Sequence, residues 1–311
     1  MKAKFIMDML RLFARIFSIF IFLPQAGFAQ QIQMNTPFLL NRNYVNPSYN
    51  GNLDLHQFDF FIGSKSKWDG IPGSPTVNAA HAMAKFTEKH SGGIQLIEHA
   101  FATFNYKSFA LPYSFTAKLN ERHTFRLGLS TRFVQSNIDF SNAITEMTIE
   151  PAKENYDRIT VFLDANAGIS YHYKKRLAVG LSISNLLVNG SVNESELLNY
   201  ASYSLLQTTY DVHYVLHRSQ NMSLMIDALA TTNGAMAATY QLFMTAEKQF
   251  TGAVGLVGFG YKSTGELVSI ARLKMPKFYY LYTFEIPVRG PSLTSFTGTY
   301  IGLGYSLGKV K

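Results

Sequence analysis

The sequence predicts an all-β fold: a transmembrane antiparallel β-barrel of about fourteen strands with both termini on the periplasmic side. Three observations carry that expectation. Charged residues make up only 15% of the 311 positions while hydrophobic residues make up 47%, against about 25% charged in a typical soluble domain. After the first 29 residues no run approaches the roughly 18 consecutive apolar positions of a membrane helix. Hydrophobic residues instead recur at every second position, the period of a strand with one greasy face.

The elements follow in order. Residues 1–29 begin with Lys2 and Lys4, continue through the apolar run Ile16–Leu23, and end in Gly27-Phe28-Ala29 after Pro24. A charged start, a short apolar run and a small-x-small ending read as a secretory signal. The run is too short for a helix across a ~30 Å hydrocarbon layer. Residues 30–53 form an N-terminal segment expected in the periplasm or the lumen, and 54–311 the outer-membrane barrel. The candidate strands are 54–67, 75–85, 93–104, 107–119, 123–136, 160–173, 176–188, 202–216, 222–231, 236–246, 252–262, 266–275, 278–286 and 297–308. Alternation is plain in Phe125-Leu127-Leu129-Thr131-Phe133 and in Val161-Leu163-Ala165-Ala167-Ile169, and poor over 252–262 and 266–275. A soluble sandwich shares the pattern. Low charge, long segments and tyrosines or phenylalanines near segment ends favour the barrel, and a sheet in hydrocarbon must close on itself.

In a barrel the polar partners of the alternation face the lumen: Arg126, Arg132, Asp164, Asn166, Asp211 and His213. The connections sort by length, with the long ones near 137–159, 189–201 and 287–296 expected outside. The short set is basic, and Arg122, His123, Lys174, Lys175, Arg176, His217 and Arg218 are candidates for a periplasmic rim. Such a rim is a solvated surface or a docking ring for an acidic partner. The 137–159 loop is acidic, through Asp139, Glu146, Glu150, Glu154 and Asp157, without the tight ligand spacing of a calcium loop.

The chemistry classes are thinned by what is missing. There is no cysteine, which excludes disulfides, thiolate metal sites and thiol catalysis. The formal charge of +8 includes +3 from the first 29 residues, and no Lys/Arg run of nucleic-acid type is present, so no nucleic-acid partner is expected. H-E-x-x-H does not occur, and the G-x-S-x-G match Gly304-Tyr305-Ser306-Leu307-Gly308 falls in an alternating strand segment rather than at a strand-to-helix elbow. Gly258-Phe259-Gly260-Tyr261-Lys262-Ser263 lacks phosphate-loop spacing. No cofactor, metal or catalytic residue is expected.

Two clusters are more specific. Asn46-Pro47-Ser48-Tyr49-Asn50-Gly51 reads locally as a turn leading into the first strand. Trp68-Asp69-Gly70-Ile71-Pro72-Gly73-Ser74-Pro75-Thr76 reads as an interfacial aromatic followed by a rigid hairpin tip. In this order they resemble the PorP/SprF family of Bacteroidetes outer-membrane proteins. The N-P-x-Y-x-G pattern is matched by Asn46, Pro47, Tyr49 and Gly51, and W-x-G-x-x-G-x-P-T by Trp68, Gly70, Gly73, Pro75 and Thr76. Gly180-Leu181-Ser182-Ile183-Ser184-Asn185-Leu186 is similar to the family's G-L-S-x-x-N-L strand. The resemblance implies a non-enzymatic type IX secretion component. Its implied partners are outer-membrane lipid, translocon or periplasmic ring components, and a large adhesin-like cargo with a type B C-terminal domain, with a link to gliding motility. The alternatives are a passive or fatty-acid-type channel, supported by the lumen-facing polar residues although no long N-terminal plug is evident, and a membrane-barrel hydrolase using a lumen histidine such as His172 or His213.

Overall fold

The computed structural model describes residues 41–53, 57–68, 71, 73–138, 158–187, 206–232, 238–288 and 297–307, all within one compact unit, 32–311. The segment 1–29 and the acidic residues of 139–157 lie outside the described residues. Fourteen strands form: β1 Phe58–Lys67, β2 Thr76–Lys85, β3 His90–Phe101, β4 Phe104–Lys118, β5 His123–Ile138, β6 Arg158–Tyr173 and β7 Leu177–Ser184, followed by β8 Gln207–Arg218, β9 Met222–Thr232, β10 Thr239–Phe250, β11 Ala253–Lys262, β12 Glu266–Lys274, β13 Phe278–Pro287 and β14 Gly298–Leu307. Each pairs antiparallel with its neighbours in sequence, and β1 pairs with β14 from Phe58↔Leu307 to Lys67↔Gly298. The ribbon joins its own end, so no edge is left open to hydrocarbon.

Side-chain exposure confirms which face is which. Leu127 and Leu129 are 53% and 63% exposed while Ser130 and Val134 on the alternate positions are 5% and 1%. Outward apolar and inward polar or packed side chains are the arrangement of an outer-membrane barrel. The two poorly alternating segments form β11 and β12 nonetheless. Their inward positions Leu256, Val268 and Ile270 belong to a buried cluster with Leu229 and Phe243. Both faces of these strands are apolar, which erases the period from the sequence.

The turns after β2, β4, β6, β8, β10 and β12 lie at the end where β1 starts and β14 stops, here the terminal end, and span only two to four residues. The opposite end, here the loop end, carries the longer connections 139–157, 185–206 and 288–297, with two tight turns among them. At the loop end the second motif clamps two hairpins together. Trp68 adopts φ 64° and stacks edge-on against Phe101, ring centroids 5.9 Å apart. Gly73 has φ 74°, and its carbonyl accepts from Ala102 N at 2.8 Å. Pro75 is fully buried, its carbonyl accepting from Lys67 N at 3.0 Å, and Thr76 begins β2. Gly70 of this motif lies outside the described residues.

Candidate functional site

Residues 41–53 occupy part of the barrel interior, beside a remaining cavity of about 370 Å³ lined by Asn41, Tyr49, Asp59, Arg272 and Lys274 among others. This segment forms two short 3-10 turns, Arg42–Tyr44 and Pro47–Asn52, seated against inward-facing side chains. The turn expected ahead of the first strand forms, and of the two places expected for this segment the lumen is the one observed: Asn46, Pro47, Tyr49 and Gly51 are all buried inside the barrel. The local chemistry explains the fold. Asn46 is extended at φ −141° and its side-chain oxygen accepts from Ser48 N at 3.0 Å, while Pro47 sits at the first position of the turn. An asparagine cap followed by proline is a strong turn start, because the proline nitrogen has no hydrogen to leave unpaired.

The walls are shaped to receive it. Gly128 of β5 and Gly168 of β6 face the lumen, and a β-carbon on either would overlap the segment, at the Ser48 backbone nitrogen and the Asn46 side-chain oxygen respectively. The Asn46 amide donates to the carbonyls of Ile169 and Leu181, each at 3.3 Å. Ser48 Oγ donates to Ser170 Oγ at 2.9 Å, and its carbonyl accepts from Ser114 Oγ at 3.0 Å. Ser182 Oγ donates to the Val45 carbonyl at 2.8 Å. Gln95 Nε2 donates to the Asn43 carbonyl at 3.3 Å, and the Tyr44 hydroxyl lies 3.0 Å from His81 Nδ1. Strands β2 to β7 thus each contribute a polar contact or a cleared space, at about 0.5–1.5 kcal/mol net for each hydrogen bond.

Charged pairs continue the docking on β8 and β9. Tyr49 donates its hydroxyl to Asp211, and Arg42 pairs with Asp227 while lying 5.6 Å over the Tyr49 ring. Burial and the Asp211 carboxylate both push the Tyr49 hydroxyl above its ordinary pKa. Burial opposes the charge of Arg42, and Asp227, Tyr49 and Asp211 together more than restore it, leaving its pKa above the ordinary value. His213 Nδ1 is 2.7 Å from the same Asp227. Arg126 reaches both Asn52 and His172, and Gly51 has no room for a side chain because Thr116 Oγ1 would stand 2.7 Å from a β-carbon.

The six polar residues expected in the lumen therefore all face it. Arg126, Asp211 and His213 belong to the docking network, and Arg132 pairs with Asp164 and Asn185 beside Asn166. The G-L-S-x-x-N-L strand acquires a purpose here: Gly180 leaves room for Asp211 and the Tyr49 hydroxyl, Ser182 holds Val45, and Asn185 holds Arg132. At His172 the hydrolase geometry does not assemble. Ser170 Oγ lies 3.0 Å from His172 Nε2, but the other side-chain partner of that imidazole is the Arg126 cation at 2.8 Å, where a serine relay needs a carboxylate to hold the histidine. Among the described residues no group of three metal-ligating side chains comes together.

The sequence reading missed a second polar site. Near the loop end Lys65 and Lys262 each stand 2.9 Å from Glu285, Lys262 is 3.3 Å from Glu266, and Lys67 also pairs with Glu266. Lys65 and Glu285 are completely enclosed, with side chains 1% and 2% exposed. The inward parity of these positions was readable; their convergence from β1, β11, β12 and β13 was not.

The basic residues of the short turns gather at the terminal end. Arg122, Lys174, Lys175, Arg176, His217 and Arg218 are exposed. Lys174 and Arg176 lie 5.4 Å over the rings of Tyr173 and Tyr214. His123 turns aside to the outer wall, its Nδ1 2.7 Å from the Tyr171 hydroxyl.

Comparison with known proteins gives this arrangement a family. The model of the type IX secretion system membrane protein PorP/SprF matches residues 27–303, and the chain belongs to that family. No curated protein sequence matches. Among solved structures the fold is similar to the P. putida toluene transporter TodX, with a TM-score of 0.52 and 8% identity over 85% of this chain and 92% of that one. It is also similar to the Ralstonia pickettii toluene transporter TbuX, with a TM-score of 0.50 and 10% identity over 90% and 94%. At such identities the likeness is one of fold, an outer-membrane barrel.

Proposed function

From that membership, we propose that the chain is a non-enzymatic, protein-binding barrel of the type IX secretion system that does not conduct solutes. Its task is to support export or surface attachment of a large adhesin-like cargo with a type B C-terminal domain, in cells that use such adhesins for gliding. The observation that carries this reading is the seated segment. Polar lumen residues, which on their own suit a channel or an acid–base pair, are engaged in holding residues 41–53. The barrel's outer surfaces are then what it offers to partners.

The terminal end faces the periplasm in this reading, with residues 1–29 removed as an export signal. The cations of the short turns then form a one-sign rim for an acidic ring or translocon component, which they steer into contact. The long connections face outward toward cargo. Deleting the gene is expected to abolish surface display of one large adhesin while leaving uptake of small solutes unchanged. Normal display with altered uptake would instead support a passive or fatty-acid channel and overturn the proposal.

A further inference from the structure

The lipid-facing wall is not uniform. A groove of about 910 Å³ runs across its outer side, from Ile301 and Leu303 on β14, over Ile62, Leu96 and Phe109, to Phe133 and Val161 on β5 and β6. Side chains on seven neighbouring strands can share one cavity only where the wall is indented. Outward positions on β2, in the middle of the indentation, are small: Ala80 and Ala82, where other strands carry leucine, tyrosine or phenylalanine.

A row of polar side chains crosses this groove in register: Ser64, Asn78, Glu98, Lys107 and Gln135 on five adjacent strands. Ser64 Oγ donates to Asn78 Oδ1 at 2.8 Å, Asn78 Nδ2 donates to Glu98 at 3.3 Å, and Glu98 pairs with Lys107 at 3.4 Å. The pair is open to the outside, with side chains 37% and 58% exposed. Lys107 stands six residues above Tyr113 on β4, about 15 Å along the axis at the usual rise and tilt, and the next outward positions toward the loop end, Asn105 and Asn137, are polar as well. The same register row continued the other way passes through Ile301, Tyr282, Ala271 and Val257, all apolar.

We propose that this indented face is the contact surface for a second outer-membrane barrel of a different kind. Charged groups on a barrel's lipid face destabilise it in a depth-dependent way, and acyl chains have nothing to pair with Glu98 or Lys107. Small residues that allow close approach, combined with polar side chains, are the signature of helix contacts within a membrane, and Ala80 and Ala82 beside the polar row offer the same close approach on this wall. The partner is a barrel because only a closed sheet or a helix spans hydrocarbon, and a broad groove matches the convex outside of a barrel wall. It carries an apolar ridge with a donor for Glu98 and an acceptor for Lys107. A second copy does not fit: its own groove is concave, and its opposite wall is apolar where the row continues. The inference depends neither on which end faces the periplasm nor on the cargo, so it stands or falls apart from the reading above.

Photoreactive benzoyl-phenylalanine placed at Leu96 or Phe109 in native outer membranes tests it, with Tyr282 and Val257 as controls. Both groove positions should yield an adduct with the same barrel protein, identified by mass spectrometry, and the control positions should not. Combining either probe with Lys107→Glu should lower that adduct by roughly tenfold, while heat-modifiable gel migration shows the variant still folded. Adducts only with lipid, only with a second copy, or equally from the control wall would overturn the proposal. So would adduct levels unmoved by Lys107→Glu in folded protein.

Discussion

Two walls of this barrel use the same device, an inward glycine, for opposite ends. On β5 and β6 the space left by Gly128 and Gly168 is filled from outside the sheet, by the segment carrying Asn46 to Ser48. On β14 the space left by Gly302 and Gly304 is filled by the sheet itself, through the rings of Phe61 and Tyr279, which cluster with Leu281, Tyr300 and the incoming Tyr44. The first wall is polar and holds its occupant by hydrogen bonds. The second is a core in miniature, closed near the loop end by the Lys65, Lys262 and Glu285 pairs. A seal made of a tethered segment is separable from the barrel; a seal made of the barrel's own side chains is not.

Damage to the two walls should therefore be distinguishable. Glu285→Gln removes the charge that both Lys65 and Lys262 face, and breaking such a buried pair costs about 3–5 kcal/mol. Urea unfolding from lipid vesicles should show that loss, with no conductance appearing in planar bilayers. Conductance arising from this variant would mean that the self-filled wall is part of the same seal, and the distinction would be lost.

Gly128→Val is the converse. Its side chain occupies the place of the Ser48 backbone, and overpacking of this kind costs about 1–3 kcal/mol. Because residues 41–53 can leave while the strands cannot, the cheaper response is expulsion. The expected result is a folded barrel with ion conductance and with the segment open to protease. A closed but strongly destabilised barrel would show the segment to be as integral as the aromatic wall. A smaller effect in the same direction is expected of Asn46→Ala, which removes the cap and the two carbonyl contacts for about 1–2 kcal/mol. Partial protease sensitivity at 41–53 should accompany it.

How far the sequence foretold this contrast follows from the same physics. Strand number and order were legible because hydrocarbon imposes one rule on every outward position, as in Leu127, Leu129 and Phe133. The lumen has no single rule. Polar inward residues such as Asp164 and Asp211 stood out by alternation, whereas Leu256, Val268 and Ile270 blurred the period of their strands by being apolar on the inside too, without concealing the strands themselves. Asn46, Pro47, Tyr49 and Gly51 were recognisable as a motif, yet read locally they say only "turn". Their role rests on contacts more than 60 residues distant, with Ser114 and beyond, which no local pattern encodes. The polar row from Ser64 to Gln135 was invisible for a related reason: it is a register feature, one residue from each of five strands.

The smallest structural effect is expected at the terminal end, where neither wall is involved. Lys175→Gln and Arg218→Gln change exposed side chains, so stability should move by no more than about 0.5 kcal/mol and both seals should stay intact. What should change is encounter. A rim stripped of two cations attracts an acidic surface less strongly, and the effect is confined to distances within the Debye length, ~10 Å at 0.1 M salt and ~3 Å at 1 M. With poly-glutamate as the probe, the association rate of the double variant should fall several-fold below that of the parent at low salt, and the two should converge at 1 M. Equal rates at both salt concentrations would show that these cations do not steer acidic surfaces, and would confine the functional contrast within this molecule to the two walls of its lumen.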